Sequence, residues 1–149
     1  MKSPDKNATL TSSIAAAAGS VLETMFFAEA EPCAPVPDEQ RRRMTAVRIG
    51  FDGGLRGEFR IAFEPRLART LAAAFLGMDE SEVAEEEVKQ VMCETANMIC
   101  GAALSRIESD EHMRLEMPTL VENTAECADF LQAWFITPEG VLCTGVRIE

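Results

Sequence analysis

Glu94 and Asn97 are the two residues of this sequence whose types and spacing best suit chemistry at a surface. They stand three positions apart in a segment with helical periodicity, so their side chains lie on one face, about 4.5 Å apart along the axis. A carboxylate can pair with a cation, and a carboxamide both donates and accepts hydrogen bonds without adding charge. The pair can therefore bind and orient polar groups that a partner brings to it.

The helix predicted to carry this pair runs from about Asp79 to Ile107. At about 100° per residue, one arc of this helix is apolar and the opposite arc is polar. The apolar arc holds Ala84, Val88, Val91, Met92, Thr95, Ile99, Ala102 and Ala103, and the polar arc holds Gln90, Glu94, Asn97 and Gly101. Gly101 costs on the order of 1 kcal/mol in a helix interior, which indicates that something approaches the helix backbone there. The polar arc predicts a surface for a partner rather than a pocket for a small molecule.

The whole chain has 149 residues, of which 47% are hydrophobic, and a formal charge of −11. This length and composition predict one globular domain over residues 11–149, preceded by a disordered leader over residues 1–10. The acidic charge argues against a nucleic-acid partner, because binding a polyanion needs a basic face. It favours a protein partner that offers Lys or Arg around its own site.

The cysteines and the hydropathy indicate a cytoplasmic protein without membrane insertion. The five cysteines, an odd number without a C-x-x-C motif, are Cys33, Cys93, Cys100, Cys127 and Cys143. They fit reduced thiols that act as small apolar residues. The stretch from Ile14 to Leu22 is too weakly apolar for a secretion signal, and no stretch approaches the roughly 20 apolar residues of a spanning helix.

Hydrophobic periodicity predicts the order helix, two strands, two helices, three strands. The predicted elements are a helix Ser13–Phe27, a hairpin Val47–Phe63 that turns at Asp52-Gly53-Gly54, a helix from Pro65 closed by Gly77, the long helix, and strands Met113–Met117, Ala128–Thr137 and Val141–Ile148. A three-residue turn, Pro138-Glu139-Gly140, joins the last two strands, and Gly57 predicts a bulge or close packing. The order predicts an α+β fold, an antiparallel sheet covered by helices, without a nucleotide-binding loop.

The sequence offers few residues for a catalytic triad or for a metal site. His112 is the single histidine and lies in a charged stretch, which disfavours both a catalytic triad and a histidine metal site. A carboxylate metal site around Glu86-Glu87 is disfavoured, since acidic residues near a helix start are expected from the helix dipole. We therefore expect no metal or cofactor held by this chain. The basic run Arg41-Arg42-Arg43 fits either a solvated approach to the next strand or a docking patch.

Two longer stretches carry a resemblance to a known family. They are GMDESEVAEEEVKQVMCETANMICGAALSRI from Gly77, followed by MPTL from Met117, and VLETMFFAEAEP on the first helix. From about residue 12 to residue 147, the chain resembles the CheX-like branch of the CheC/CheX/FliY chemotaxis phosphatases. The E-x-x-N motif, the following Gly101 and the downstream Pro118 are its specific features.

This resemblance implies a phosphatase that hydrolyses the aspartyl phosphate of a CheY-type response regulator. By the resemblance, Asn97 orients the attacking water and Glu94 pairs with the regulator's Lys. Gln90, Gly101 and Leu104 then belong to the partner-binding surface, although Leu104 fits an ordinary exposed leucine equally well. The resemblance also implies that the regulator supplies the Mg²⁺ and that the protein is a homodimer.

The chain departs from the family pattern at three positions. Gln90 stands where relatives usually have Asp or Ser, and Ala102 stands where Asn is frequent. The first helix repeats Glu-Thr at Glu23-Thr24 but ends that motif in Phe26 instead of an amide, so we expect one site per chain. Gln90 favours an alternative function, a non-catalytic docking module for a response regulator like those of the flagellar switch. Retention of both Glu94 and Asn97 favours the enzyme.

Overall fold

The computed structural model describes residues 4–107, 113–121 and 130–149. The helices are α1 (Pro4–Phe26), α2 (Asp38–Arg41), α3 (Pro65–Leu76) and α4 (Glu85–Ser105). The strands are β1 (Glu31–Pro32), β2 (Thr45–Asp52), β3 (Gly57–Phe63), β4 (Arg114–Leu115), β5 (Thr119–Val121), β6 (Leu131–Thr137) and β7 (Gly140–Ile148). His112 and Cys127 lie outside the described residues, as does the predicted start of a strand at Ala128.

One antiparallel sheet forms the centre of the molecule. Its strand order is β1-β6-β7-β3-β2-β4, and β5 also pairs with β2. The β2–β3 hairpin pairs Ile49 with Phe59 and Val47 with Ile61, so the alternating apolar residues of both strands point to the same face. The predicted hairpin and the predicted α+β class are confirmed.

The helices cover one face of this sheet and bury the main core with it. α1 and α3 both pack against α4, and α1 also reaches β6 and β7. The fully buried side chains of this core include Leu10, Ile14, Leu22, Phe51, Phe59, Phe63 and Ile99. The opposite face of the sheet carries a smaller cluster around Trp134 and Cys143, with Met44 and Val141. α4 is thus fixed on one side and open to solvent on the other.

The first helix begins at Pro4 rather than near Ser13, so residues 4–10, expected in a leader, are helical. Leu10 explains the longer helix, because it continues the apolar face of Ile14 one turn earlier and is fully buried. Polar residues between these two positions obscure the periodicity in the sequence, but burial of a single leucine is enough to extend the packed face.

The long helix begins at Glu85, later than the predicted start at Asp79. A short 3₁₀ turn, Glu80–Glu82, occupies the intervening segment, and Val83 folds into the core at 5% exposure. Ala84 is extended, and its backbone N–H donates to the Glu87 carboxylate at 2.9 Å. The acidic side chain three residues into the helix therefore caps its first turn.

Two glycine predictions are confirmed and one turn differs. Gly77 ends α3 in the left-handed conformation with φ 67°, and a Cβ at Gly57 would overlap the carbonyl oxygen of Arg147.

The β6–β7 connection is shorter than predicted, because Thr137 pairs directly with Gly140 and leaves two residues in the turn. β1, β5 and the single turn of α2 were not predicted, since short edge elements carry too little periodicity to detect.

Candidate functional site

A polar stripe on α4, which we define as Gln90, Glu94, Asn97 and Gly101, is exposed along its whole length. The residues that alternate with it, Thr95, Ala96 and Ile99, are completely buried. This contrast follows from the helical period, since positions three or four apart share a face. The structure therefore brings Glu94 and Asn97 together at the surface, one turn apart.

The helix that carries the stripe is held firmly from behind. Its buried face contacts α1, α3 and the strands β2, β3 and β5. Val91, Met92, Ile99 and Ala103 are among the side chains that fill this contact. A site on such an element keeps its geometry when a partner docks, which positional catalysis requires.

Glu94 and Asn97 have no hydrogen-bond or ion-pair partner among the residues that the structure describes. The nearest ion pair on α4, between Lys89 and Glu86 at 3.7 Å, lies at its first turns. An incoming cation or phosphoryl group thus has no intramolecular bond to displace at either side chain.

Half-buried apolar side chains flank the polar stripe on both sides. Cys93 lies one turn before Asn97 and Leu104 two turns after it, on the same side of the stripe, and both pack partly against the core. Burial, and to a smaller extent the Glu94 carboxylate, raises the pKa of the Cys93 thiol, so this side chain stays neutral. Leu104 is only partly exposed and still offers some apolar surface beside the stripe.

Met98 and Ala102 flank Glu94 on the other side and are also half-buried against the core. Met98 was not among the predicted site residues, although its spacing of four residues from Glu94 puts it beside that carboxylate. Polar groups with apolar neighbours are typical of a protein-binding surface, since the apolar rim excludes water from the central contacts.

Gly101 has open space around it. A Cβ built at this position meets nothing within 4 Å outside the helix's own turn. Packing among the described residues therefore gives no reason for a glycine here, and an ordinary residue would stabilise the helix by up to about 1 kcal/mol. The bare backbone one turn after Asn97 is the only part of the stripe that a partner can approach without meeting a side chain.

The Glu23-Thr24 echo on α1 does not form a second stripe. Glu23, Thr24 and Met25 are exposed, but Phe26 is buried at 8% and its ring lies 6.3 Å from that of Phe75. The position that would correspond to the amide therefore points into an aromatic contact and offers no hydrogen-bonding group.

Metal ligands and the basic run Arg41-Arg42-Arg43 are both questions that the sequence raises, and the described residues give an answer for each. Within residues 4–107, 113–121 and 130–149, no group of three or more His, Cys, Asp or Glu side chains is arranged to hold a metal ion. Arg41 donates to the Gln132 amide oxygen at 2.6 Å and lies 5.4 Å from the Trp134 ring. Arg43 pairs with exposed Glu39 at 3.2 Å. The run Arg41-Arg42-Arg43 is thus partly committed to the outer face of the sheet.

Comparison with protein families decides the membership of this chain. The model of the family described as chemotaxis phosphatase CheX matches residues 45–133, more than half of the 149 residues. The chain belongs to the CheX family. The matched range includes the whole of α4 and therefore the polar stripe. A search of curated proteins gave no match.

Solved structures of CheX and CheC-like proteins share the fold. The chemotaxis protein CheX of Vibrio vulnificus is 25% identical, with a TM-score of 0.76 over 94% of this chain and 96% of the other. A CheC-like protein of Shewanella oneidensis is 21% identical, with a TM-score of 0.73 over 96% and 99%. CheX of Borrelia burgdorferi, solved in complex with CheY, BeF₃ and Mg²⁺, is 17% identical, with a TM-score of 0.70 over 93% and 96%. None of the described helices is long and apolar enough to cross a bilayer.

Proposed function

We propose that this CheX-family protein hydrolyses the aspartyl phosphate of a CheY-type response regulator. The observation that carries the proposal is the exposed and unpartnered pair Glu94 and Asn97 on the open face of an anchored helix. The Borrelia relative, solved with CheY and BeF₃, supports a receiver domain as the partner class. A flat surface suits this substrate, because the phosphoryl group arrives on a whole protein domain.

Asn97 acts as the water-positioning residue in this proposal. Its carboxamide accepts a hydrogen bond from the attacking water and donates one to a phosphoryl oxygen, while remaining neutral. Attack of that water on phosphorus breaks the bond to the regulator's aspartate and releases inorganic phosphate. Phosphoryl transfer needs little covalent chemistry from the protein, so position and charge supply most of the catalysis.

Glu94 pairs with the regulator's Lys near the phosphorylated aspartate. The carboxylate orients the two proteins so that the amide one turn further along reaches the phosphoryl group. The regulator supplies the Mg²⁺ that neutralises the developing charge on the phosphoryl oxygens. This chain then contributes no cofactor of its own.

Gln90, Gly101 and Leu104 extend the contact along the helix. Gln90 offers a polar side chain one turn before Glu94, and Leu104 offers partly buried apolar surface near the other end. Gly101 lets the regulator backbone come close to α4, which accounts for a glycine with nothing around it.

The direct test is the rate of phosphate release from a phosphorylated receiver domain. Wild-type protein should accelerate release, and Asn97→Ala should lower that acceleration by about 10²-fold or more while binding persists. Glu94→Ala should weaken binding and lower the rate. Glu23→Ala is the matched control, because Glu23 is also an exposed glutamate followed by threonine but lies on α1 instead of α4. Acceleration that survives Asn97→Ala would reject the water-positioning role.

A docking module without turnover is the second candidate, which Gln90 favours because this position differs from the usual family residue. Such a module would bind the phosphorylated receiver through the same face, and no receiver of the same cell would lose phosphate faster in its presence. The same phosphate-release assay, run together with a binding measurement, separates the two functions.

We further expect a cytoplasmic homodimer, as the family resemblance implies. Light scattering on the purified protein measures the assembly state. A monomer at all concentrations would contradict this expectation without affecting the phosphatase assay.

A further inference from the structure

An exposed apolar patch lies where the ends of α1 and α3 meet. It consists of Met25, Phe27, Phe75 and Leu76, with exposures of 47%, 90%, 44% and 39%. Phe26 joins the two helix ends, because its ring packs 6.3 Å from that of Phe75. Clustered exposed apolar side chains on a soluble protein mark interaction surfaces.

Phe27 is held in a conformation that suits glycine. Its φ is 54°, in the left-handed region that a bulky side chain rarely adopts. Its N–H donates to the Glu23 carbonyl at 3.1 Å, and the next N–H, from Ala28, donates to Leu22 at 3.0 Å. The bond from Phe27 to Glu23 is the one that closes the left-handed ending of many helices, usually with glycine at this position.

Neither the backbone nor the core accounts for a phenylalanine at this position. The side chain is almost fully solvated, so it buries little apolar surface, and its Cβ makes the left-handed backbone conformation unfavourable. A residue that costs stability and packs against little is best explained by an external contact.

The chain around the apolar patch is acidic on both sides. Residues 20–32 contain Glu23, Glu29 and Glu31 and no Lys or Arg. Residues 70–88 contain Asp79, Glu80, Glu82, Glu85, Glu86 and Glu87, of which Glu85 pairs with Arg69 and Glu86 pairs with Lys89. Glu23 and Glu29 are exposed on either side of Phe27, and Asp79 and Glu80 are exposed just after Leu76. The patch is therefore apolar at its centre and negatively charged around it.

We propose that the apolar patch is a docking surface for a basic amphipathic segment of another protein. Apolar side chains of that segment cover Phe27 and Phe75, and its Lys or Arg residues pair with the surrounding carboxylates. A second copy of this chain fits poorly, because it would bring the same carboxylates against each other. Anionic lipid headgroups would be repelled for the same reason.

This docking surface is separate from the proposed phosphatase site. All four patch residues lie on α1, on α3 or at the end of α1, whereas the polar stripe lies on α4. The proposed docking surface therefore does not depend on turnover of a response regulator. A partner bound at the patch would instead determine where in the cell the polar stripe is placed.

The test uses the full chain and a short amphipathic peptide built from Leu and Lys, with a Leu and Glu peptide as its charge control. Fluorescence anisotropy measures affinity, and amide chemical shifts locate the bound peptide. We expect the Lys peptide to bind at Met25, Phe27 and Phe75, and Phe27→Gly to weaken it roughly tenfold or more. Phe27→Gly suits this test because glycine matches the backbone conformation, so loss of binding does not come from unfolding. Glu23→Gln should also weaken binding.

Met117→Ser is the matched control, because Met117 is 83% exposed and lies outside the apolar patch. Equal affinity for the Glu peptide, unchanged affinity in Phe27→Gly, or chemical shifts confined to other surfaces would overturn the proposal. Self-association, or binding to phosphatidylglycerol vesicles, that is lost in Phe27→Gly would assign the patch to a second copy or to lipid and would also overturn it.

Discussion

At the scale of single residues, the polar stripe and the apolar patch use side chains in opposite ways. Glu94 and Asn97 are exposed polar groups on a backbone that costs nothing unusual, so their placement follows from the helical period. Phe27 is an exposed apolar group on a backbone that opposes it. Both surfaces can bind a partner, and each includes one residue that lowers stability, Gly101 in the polar stripe and Phe27 in the apolar patch.

Phe27→Gly should raise the free energy of unfolding by about 1 kcal/mol, since glycine adopts the left-handed conformation without a Cβ penalty. Little burial is lost, because the phenylalanine side chain is 90% exposed. Urea unfolding measures the change. Phe27→Ala is the control, since alanine keeps the Cβ and should change stability much less; a fall in stability on Phe27→Gly would contradict the assigned strain.

Thr144→Val should also stabilise the protein, by about 1 kcal/mol, because the buried Thr144 hydroxyl has no hydrogen-bond partner among the described residues. Valine keeps the shape of the side chain and removes the unpaired group. Thr137→Val is the matched control. The Thr137 hydroxyl donates to the Gly140 carbonyl at 2.8 Å and accepts from the Glu139 N–H at 3.1 Å, so its loss should destabilise. Thermal unfolding of both variants distinguishes the two cases.

At the scale of elements, three strands share one buried carboxylate on the sheet face away from the helices. Glu58 of β3 accepts from Arg60 at 2.7 Å and from Arg48 of β2 at 3.0 Å, and Arg147 of β7 lies 3.7 Å away. Its side chain is only 7% exposed. Burial alone would raise the pKa of Glu58, but the hydrogen bonds from Arg48 and Arg60 outweigh it and hold the pKa below its ordinary value.

Glu58→Gln should destabilise the protein at neutral pH, and the difference from wild type should shrink in acid. A carboxyl with a lowered pKa in the folded state contributes stability above its unfolded pKa, about 4.5, and loses it as the pH falls through the lower folded value. Urea unfolding from pH 7 downwards measures the difference. Glu39→Gln, which removes the exposed pair with Arg43, should have little effect at any pH. A pH-independent difference for Glu58→Gln would contradict the lowered pKa.

At the scale of the whole molecule, the formal charge of −11 determines how partners approach. A partner with a basic surface is attracted over the Debye length, about 8 Å at physiological ionic strength, and salt screens this attraction. Steering by net charge changes the rate of encounter rather than the chemistry after docking.

If the proposed function holds, added salt should lower kcat/KM for a phosphorylated receiver several-fold and leave kcat almost unchanged. Glu86→Gln removes one exposed charge a single turn before Gln90 and should make this salt dependence less steep. Phosphate release at a series of salt concentrations measures both quantities. A loss of kcat with unchanged KM would show that the charges act on the chemical step instead.

Periodicity along the chain was sufficient to predict the polar stripe and the central hairpin. Glu94 and Asn97 share a face because of the rise and turn of any α-helix. Apolar and polar residues alternate around Ile49 and Phe59 because one face of the sheet is buried and the other is not. The α+β class follows from such local patterns, whereas the family resemblance depends on the E-x-x-N motif with Gly101 and Pro118, and the fold and the family match confirm both. The roles of Glu94 and Asn97 in turnover stay predictions.

Other features depend on which distant residues meet. α1 begins at Pro4 because Leu10 finds space in the core, and α4 begins at Glu85 because Val83 is drawn into it. Pairing of β5 with β2 joins residues far apart in the chain, and the meeting of Phe26 with Phe75 creates the patch beside Phe27. Local propensity contains no information about such contacts, because burial and strand pairing are decided only when the chain has closed on itself.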